Sequence, residues 1–546
     1  MRSDGEGHGW FARHWYWLGV ACAALVGAVI RFANVLVWYP TCAADIIRSV
    51  ETGVRYPECP PDQFRVWGDS AYGFVQGYLL NNGHGFVDSA TWYTSLGQRF
   101  VPSAGDPPLF AILLAALRRV GVGSATGQRL ACAAVGVVGV VLIAQVARRV
   151  AGRRAGVIAA ALAATYPLLW INDGMLLSES LFVPLIAVVL LVAYRFWDKP
   201  TWGMAAALGA AIAAAALTRG EALLLFGALV VPLLWGLRRV PPSRRGLLAL
   251  TCWVVGGALI APWVLYNLSR FSEPVFMTSQ TGAVLSAGSC DVAFYGEAIG
   301  YYAADCYSEY VRKGYVIGHP RLPGCDTEAA AAVDAADPVE REKSAVCWPD
   351  PEHLDESERD QIVGELARRY IDEHRSRLPI VMAVRVLRMF DLYNPDIGAE
   401  QEPLGQNVKL NWAVEGRGKW QSELGFLMYW LLVPFGVPGI VILIRRRVPV
   451  SPLLAPVVVI TVTAAFAFGV TRYRVPFEVT LLVAAAVALD ALVARRWAAP
   501  DGGTVRERDT RLGRDDPAGG VVGAGEAVGA TRASATLAVG SARFTG

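Results

Sequence analysis

About ten apolar stretches, spread along nearly the whole chain, constrain its fold more than any other feature. They lie near Trp15–Val37, Gln128–Ala147, Ala155–Ile171, Ser180–Phe196, Gly203–Leu217, Ala222–Leu237, Gly246–Tyr266, Phe426–Ile444, Leu453–Val470 and Phe477–Val493, and several are short. Crossing about 30 Å of hydrocarbon takes roughly 20 helical residues. Hydrophobic residues make up 54% of the 546 and mean hydropathy is +0.38, so no soluble core is needed to account for the composition. The expected fold is an α-helical polytopic membrane protein with about ten transmembrane helices, interfacial helices and a small mixed α/β external lobe.

Basic clusters set the orientation. Arg148/Arg149/Arg153/Arg154, Arg238/Arg239/Arg244/Arg245, Arg445/Arg446/Arg447 and Arg495/Arg496 follow the second, sixth, eighth and tenth stretches, all on the same side of an alternating chain, as cytoplasmic loops require. Both termini are therefore expected in the cytoplasm of a plasma-membrane protein. Tyr39–Thr126, Asn172–Glu179, Thr218–Glu221, Asn267–Gly425 and Thr471–Arg474 are expected outside. Pro107–Val120 is too short to span and reads as an interfacial or re-entrant helix whose Arg118–Arg119 end snorkels. Cysteine placement agrees: Cys22, Cys132 and Cys252 fall in apolar stretches, whereas Cys42, Cys59, Cys290, Cys306, Cys325 and Cys347 fall in the two large external loops and are disulfide candidates. Cys42–Cys59 is the local pairing; the other four allow three arrangements.

The organisation follows: a cytoplasmic segment 1–14; a transmembrane module 15–266 including the first external loop 39–126; an external lobe 267–424 with an interfacial helix; transmembrane helices 425–497; and a cytoplasmic tail 498–546. The first segment and the tail are polar or rich in Gly and Ala and are expected to be mostly disordered. In the lobe, PVFMTSQTGAVLSAGSCDVAFYGEAIG suggests short strands and turns. Ser357 with Asp360 marks a helix N-cap region, followed by an apolar face of Ile362, Leu366, Tyr370 and Ile371. Arg385 and Arg388, three apart, are expected on one side of a helix lying along the membrane surface.

A net charge of +3 implies no nucleic-acid partner, and the chain has no GxxxxGK[ST] and no GxGxxG after a strand. His84, His319, His353 and His374 lack metal-ligand spacing, so a histidine zinc site has little support. The informative charges are those at the outer ends of apolar stretches, where ionisable groups default to a functional role. Asp69, among aromatic residues and followed by a helix, suits a general base; as an N-cap it would be merely structural. Glu179 could orient Asp69, share a divalent metal with it or bind acceptor. Arg219 and Glu221 interrupt an apolar stretch and could pair with each other. Arg472 and Arg474, astride Tyr473, suit a phosphate or pyrophosphate.

The order WGDSAYGFVQGYLLNNGHGF, DPPLFAILLAALRRVG, LLSESLFVPLI, LTRGEALLLF and TRYRVPFEV resembles the glycosyltransferase C superfamily, in its protein O-mannosyltransferase and aminoarabinose-transferase-like branch. PVFMTSQTGAVLSAGSCDVAFYG with VRVLRMFDLYNP looks like an uncharacterised actinobacterial subgroup of that branch. The resemblance runs over most of Trp15–Arg496 and implies transfer of a sugar from a polyprenyl-phosphate donor to an acceptor outside the cytoplasmic membrane, a glycan, glycolipid or protein. It implies Asp69 and Glu179 as the catalytic carboxylates, Asp69 as the base, with Arg219, Arg472 and Arg474 holding the donor phosphate. Tyr72, Asp106, Glu221, Arg385 and Arg388 are further substrate-binding candidates. Asp106 stands where the family often has His or Lys before the proline pair, which removes a phosphate ligand and supplies a second acid, and GDS replaces the Asp-Glu pair of protein mannosyltransferases, a departure that argues against a protein acceptor. No cofactor is implied beyond a divalent metal. The competing readings are a transporter or flippase of lipid-linked sugars, which calls for polar residues through the membrane midplane, and a non-catalytic envelope-assembly protein.

Overall fold

The computed structural model describes residues 5–42, 46–53, 63–66, 68–295, 299–303, 306–307, 354–393 and 419–497, and the structural statements below concern these residues. Six helices are long and apolar enough to cross a membrane: His14–Trp38, Ala125–Ala151, Glu179–Asp198, Pro242–Leu268, Trp420–Arg445 and Thr471–Ala494. A further crossing is broken, Arg153–Thr165 and Pro167–Asp173 meeting at 56°, and Trp202–Ala216, Gly220–Gly236 and Ser451–Phe466 are shorter apolar helices. The chain is a multi-pass helical membrane protein. Each of the ten apolar stretches is largely helical. The break falls where Pro167 forces Tyr166 into extended backbone.

The helices that matter here are α1 (Gly5–Ala33), α2 (Asp69–Asn81), α3 (Pro108–Arg119), α4 (Ala125–Ala151), α5 (Arg153–Thr165), α6 (Pro167–Asp173), α7 (Glu179–Asp198), α8 (Trp202–Ala216), α9 (Pro242–Leu268), α10 (Thr281–Ala287), α11 (Glu356–Glu373), α12 (Leu378–Met389), α13 (Lys419–Arg445), α14 (Ser451–Phe466) and α15 (Val475–Trp497). Small residues set the helix spacing. Ala155, Ala159, Ala160 and Ala163 of α5 are fully buried, and a Cβ on Gly156 would sit 2.9 Å from the Ala144 carbonyl of α4. In lipid, where apolar burial between helices gains little, such close backbone approach supplies the dispersion contact that holds helices together.

Two buried arginines brace the molecule, one joining the first helix to the broken crossing and the other holding the start of the first loop. Arg31 of α1 donates to Asp173 at 2.7 Å and to the Ala164 carbonyl at 3.2 Å. Asp173, an ordinary loop residue on its sequence, is thus a buried ion-pair partner, because Arg31 inside an apolar helix needs one. Arg129 of α4 donates to Thr41 Oγ1 and the Tyr39 carbonyl, both at 2.9 Å, and lies 4.2 Å from the Phe64 ring centre.

Several expectations are corrected. α1 begins at Gly5, so most of segment 1–14 extends the first helix instead of being disordered; elongation adds one hydrogen bond per residue once a helix exists. The PVFMTSQ region contributes α10 and a short helix Asp291–Phe294 rather than strands, and only isolated bridges, Thr41 with Phe64 and Val87 with Pro102, occur among the described residues. The mixed α/β character expected of the lobe is therefore replaced by helix there. The cause is tertiary: Asp360 of α11 accepts from the Gly282 and Ala283 N–H groups, both at 2.8 Å, capping a helix that local propensity does not favour. The N-cap of α11 is Asp355, in a capping box with Glu358, so Ser357 and Asp360 are freed for other bonds. Arg118 folds over the Phe74 ring of α2 at 4.4 Å instead of snorkelling.

Cys290 and Cys306 form a disulfide with Cα atoms 5.7 Å apart, selecting one partner pair among the four lobe cysteines. Cys59, Cys325 and Cys347, with the Cys42–Cys59 pairing, lie outside the described residues, as do His319, His353 and the tail 498–546.

Candidate active site

Four helix starts and two short turns converge on one cavity of about 1170 Å³. Gly68 turns the chain into α2 at φ 58°, a left-handed conformation that favours glycine, and Asp69 follows at the first helical position. Ser70 ties that turn down by donating to the Met175 carbonyl at 2.6 Å, just ahead of Glu179 at the start of α7. Buried Leu176 in the intervening turn sits at φ 54°, a strained position for a branched residue and of the kind found at functional sites. The Leu109 N–H donates to the Leu217 carbonyl at 2.8 Å, joining the Asp106 loop to the end of α8, where Arg219 begins the next turn.

Asp69 does not cap its own helix. Its carboxylate, with the side chain 54% exposed, accepts from Arg472 at 2.7 Å across the cavity. Glu179 lies beneath, 1% exposed, accepting from Arg472 at 2.5 Å and from Arg219 at 2.8 Å. Arg219 also donates to Glu221 at 2.6 Å, so the local pairing exists but is one part of a longer chain of charges. The order is Glu221, Arg219, Glu179, Arg472, Asp69. A buried carboxylate gripping two guanidinium groups is a positioning device: it fixes both cations at the cavity edge without side-chain entropy left to lose. Sharing a metal with Asp69 is a poorer role for Glu179, whose oxygens are taken by the arginines. Among the described residues, no group of three or more His, Cys, Asp or Glu is placed to hold a metal ion.

Asp106 lines the same cavity, open to it yet walled by protein. Burial, and next the negative charge of Asp69, push its carboxyl up to about 7, against the pull of Arg219 and Arg472. A Cβ on its neighbour Gly105 would meet Gln280 Nε2 at 2.7 Å and the Tyr72 hydroxyl at 3.0 Å, so any larger residue there displaces one of these side chains. Tyr72 itself bonds Ser103 Oγ at 3.0 Å, holding the loop that carries Asp106. Glu356, at the first position of α11, accepts from the Ala104 N–H at 2.9 Å and clasps that loop from the lobe side.

Three sequence candidates lie elsewhere. Arg474 is 1% exposed and bonds Glu478 and Asp391, each at 2.6 Å, with the Tyr429 ring centre 3.7 Å from its guanidinium. It shares a short 3-10 turn, Thr471–Arg474, with Arg472, whose side chain takes different partners. Arg385 donates to the Ala465 and Phe466 carbonyls at the end of α14, 3.2 and 3.3 Å away, and to the Gly288 carbonyl at 2.5 Å. Arg388 donates to the Ile299 carbonyl at 2.6 Å. Both are buried cross-braces of the lobe rather than side chains on a membrane surface, because free helix-end carbonyls attract cations. Sequence reasoning missed Arg65, Gln280, Thr281, Tyr302 and Phe468 of the cavity. None interrupts an apolar run, so no signal marked them.

Residues 105–266 match the model of a family described as dolichyl-phosphate-mannose-protein mannosyltransferase, a segment that holds Asp106, Glu179, Arg219 and Glu221. No curated protein matches the chain. Among solved structures, the chain is similar to the oligosaccharyltransferase AglB of Archaeoglobus fulgidus, solved with an inhibitory peptide and a dolichol-phosphate, at 17% identity and a TM-score of 0.45, over 89% of this chain and 51% of that one. It thus spans about half the length of AglB. It is also similar to ArnT of Cupriavidus metallidurans bound to undecaprenyl phosphate, at 17% identity and a TM-score of 0.37, over 89% of this chain and 80% of that one.

Proposed function

We propose that the chain transfers one sugar from a polyprenyl-phosphate donor to an acceptor at the external face of the cytoplasmic membrane, with Asp69 as general base. The observation that carries this reading is the meeting of a half-exposed carboxylate and two buttressed guanidinium groups on one cavity, from segments 403 residues apart in sequence. The matched family's description names a lipid-phosphate sugar, the donor class adopted here.

The Asp69 carboxylate takes the proton of the acceptor O–H as that oxygen attacks the anomeric carbon. The bond from this carbon to the phosphate oxygen breaks, and the electron pair leaves with the polyprenyl phosphate, inverting the anomeric centre. A phosphate leaves without being protonated, so one carboxylate suffices. Arg219 and Arg472 face the growing negative charge and are already oriented by Glu179, which avoids reorganisation during reaction. Protonated Asp106 donates a hydrogen bond to a phosphate oxygen; ionised, it repels the phosphate. Arg474 has no part, since it is buried against Glu478, Asp391 and the Met389 carbonyl and does not line the cavity.

The test is transfer from a radiolabelled polyprenyl-phosphate sugar by membranes carrying Asp69→Asn. General-base removal lowers transfer by about 10² to 10⁴-fold with expression unchanged; transfer at the wild-type rate removes Asp69 from the mechanism. Glycan and glycolipid analysis of the cell envelope in a deletion strain names the sugar and the acceptor together.

A further inference from the structure

We infer that the part of the cavity wall supplied by the lobe is a saccharide-binding subsite, so that the acceptor is a neutral carbohydrate rather than a peptide. The inference rests on the transferase reading and names its acceptor class. The cavity lining divides by chemistry. Asp69, Asp106, Arg219, Glu221 and Arg472 come from the transmembrane module, whereas residues 277–302 supply Thr278, Gln280, Thr281, Tyr301 and Tyr302 with two apolar side chains, and among the described lining residues this part contains no charge. Hydroxyl and amide groups both donate and accept, which matches the hydroxyls of a sugar. Flat rings with a polar edge match its C–H face.

The rings are ordered. Arg219 lies 5.0 Å from the Tyr473 ring centre, Tyr473 is 5.5 Å from Phe468, and Phe468 is 5.1 Å from Tyr302, which is 38% exposed. The strip therefore starts at a guanidinium assigned to phosphate and ends on a partly exposed ring of the cavity lining. Leaving group, transferred sugar and acceptor have to line up in that order. The segment is also rigid: the Cys290–Cys306 disulfide closes it, the Gly469 N–H donates to the Gly300 carbonyl at 2.9 Å, and the Ala303 N–H donates to the Ala287 carbonyl at 2.8 Å. A rigid wall loses little entropy on binding.

Two probes on the full chain in nanodiscs test this. Saturation-transfer NMR with a panel of neutral oligosaccharides and a Ser/Thr-containing peptide reports acceptor binding; native mass spectrometry with polyprenyl phosphate reports donor binding. Wild type binds at least one oligosaccharide and not the peptide. Tyr302→Ala weakens that binding about tenfold, the scale of one lost aromatic contact, while Tyr302→Phe stays near wild type and both retain polyprenyl phosphate within about twofold of wild type. Oligosaccharide binding that is unchanged in Tyr302→Ala and in Gln280→Ala overturns the inference, as does a wild type that binds the peptide and no oligosaccharide. Wild type that binds oligosaccharide but not polyprenyl phosphate instead overturns the donor reading, so the two failures are told apart.

Discussion

Arg472 and Arg474 stand two residues apart in one motif, TRYR, and belong to different regions of the molecule. Arg472 joins a network that ends in a carboxylate half open to a cavity. Arg474 joins one that is sealed: Glu478 and Asp391 are 1% and 3% exposed, and the Tyr166 hydroxyl closes the far side of Glu478 at 2.7 Å. Both satisfy the requirement that an ionisable group in a membrane helix find partners. Only the first leaves room for a ligand to replace one. A charge at the end of a membrane helix thus reads as binding or as bracing according to whether its partner set opens onto solvent, and the sequence motif is silent on that.

Substitutions that treat the two arginines alike can break the distinction. Arg474→Ala strands two buried carboxylates, and thermal unfolding in detergent should show a loss of about 3–5 kcal/mol. Turnover per folded molecule should hold, and adding Glu478→Leu with Asp391→Leu should recover part of the stability; a fold that tolerates Arg474→Ala would mean the network is open after all. Arg472→Ala should do the reverse, lowering turnover by about 10² to 10³-fold with the unfolding midpoint little changed, because Glu179 keeps Arg219. A sharper probe is pH. Since the Asp106 carboxyl is raised to about 7, it is neutral below that and adds a negative charge above it. The donor KM should rise by up to roughly tenfold per pH unit above about 7, and Asp106→Asn should flatten that limb; the same slope in the variant would remove Asp106 from donor binding.

The smallest effect concerns Glu356. Burial, its largest influence, raises the carboxyl from 4.5 to about 7, against the pull of the Ala104 N–H, so the folded state holds a proton that the unfolded state releases. Its stability contribution is full below the unfolded value and is lost as pH rises through about 7. Melting temperature should therefore decline modestly between pH 5 and 8, with Glu356→Gln showing less of that decline.

The apolar stretches were legible because hydrocarbon thickness imposes a length that few soluble helices share. Asp69, Glu179, Arg219 and Arg472 were legible because each interrupts or opens such a stretch, where charge needs a reason. Arg474 satisfied the same criterion and misled, since a single 3-10 turn sends neighbouring guanidinium groups to different partners. Arg31 and Arg129 carried the same signal and were passed over; each sits in or at the start of an apolar run, and each proves to be buried and bonded. The lobe was least legible. Its first helix is stabilised by Asp360, 78 residues away, a contact that no local pattern announces.

The clasp between Glu356 and Ala104 bears on how such proteins can be recombined. The two partners are 252 residues apart, one in the lobe and one in the loop that carries Asp106. A chimera that imports a foreign lobe but keeps this loop pairs a native N–H with whatever residue arrives in place of Glu356. Exchanging acceptor range between relatives would then require the loop and the lobe to be transplanted as one module, despite the transmembrane helices that separate them in the gene.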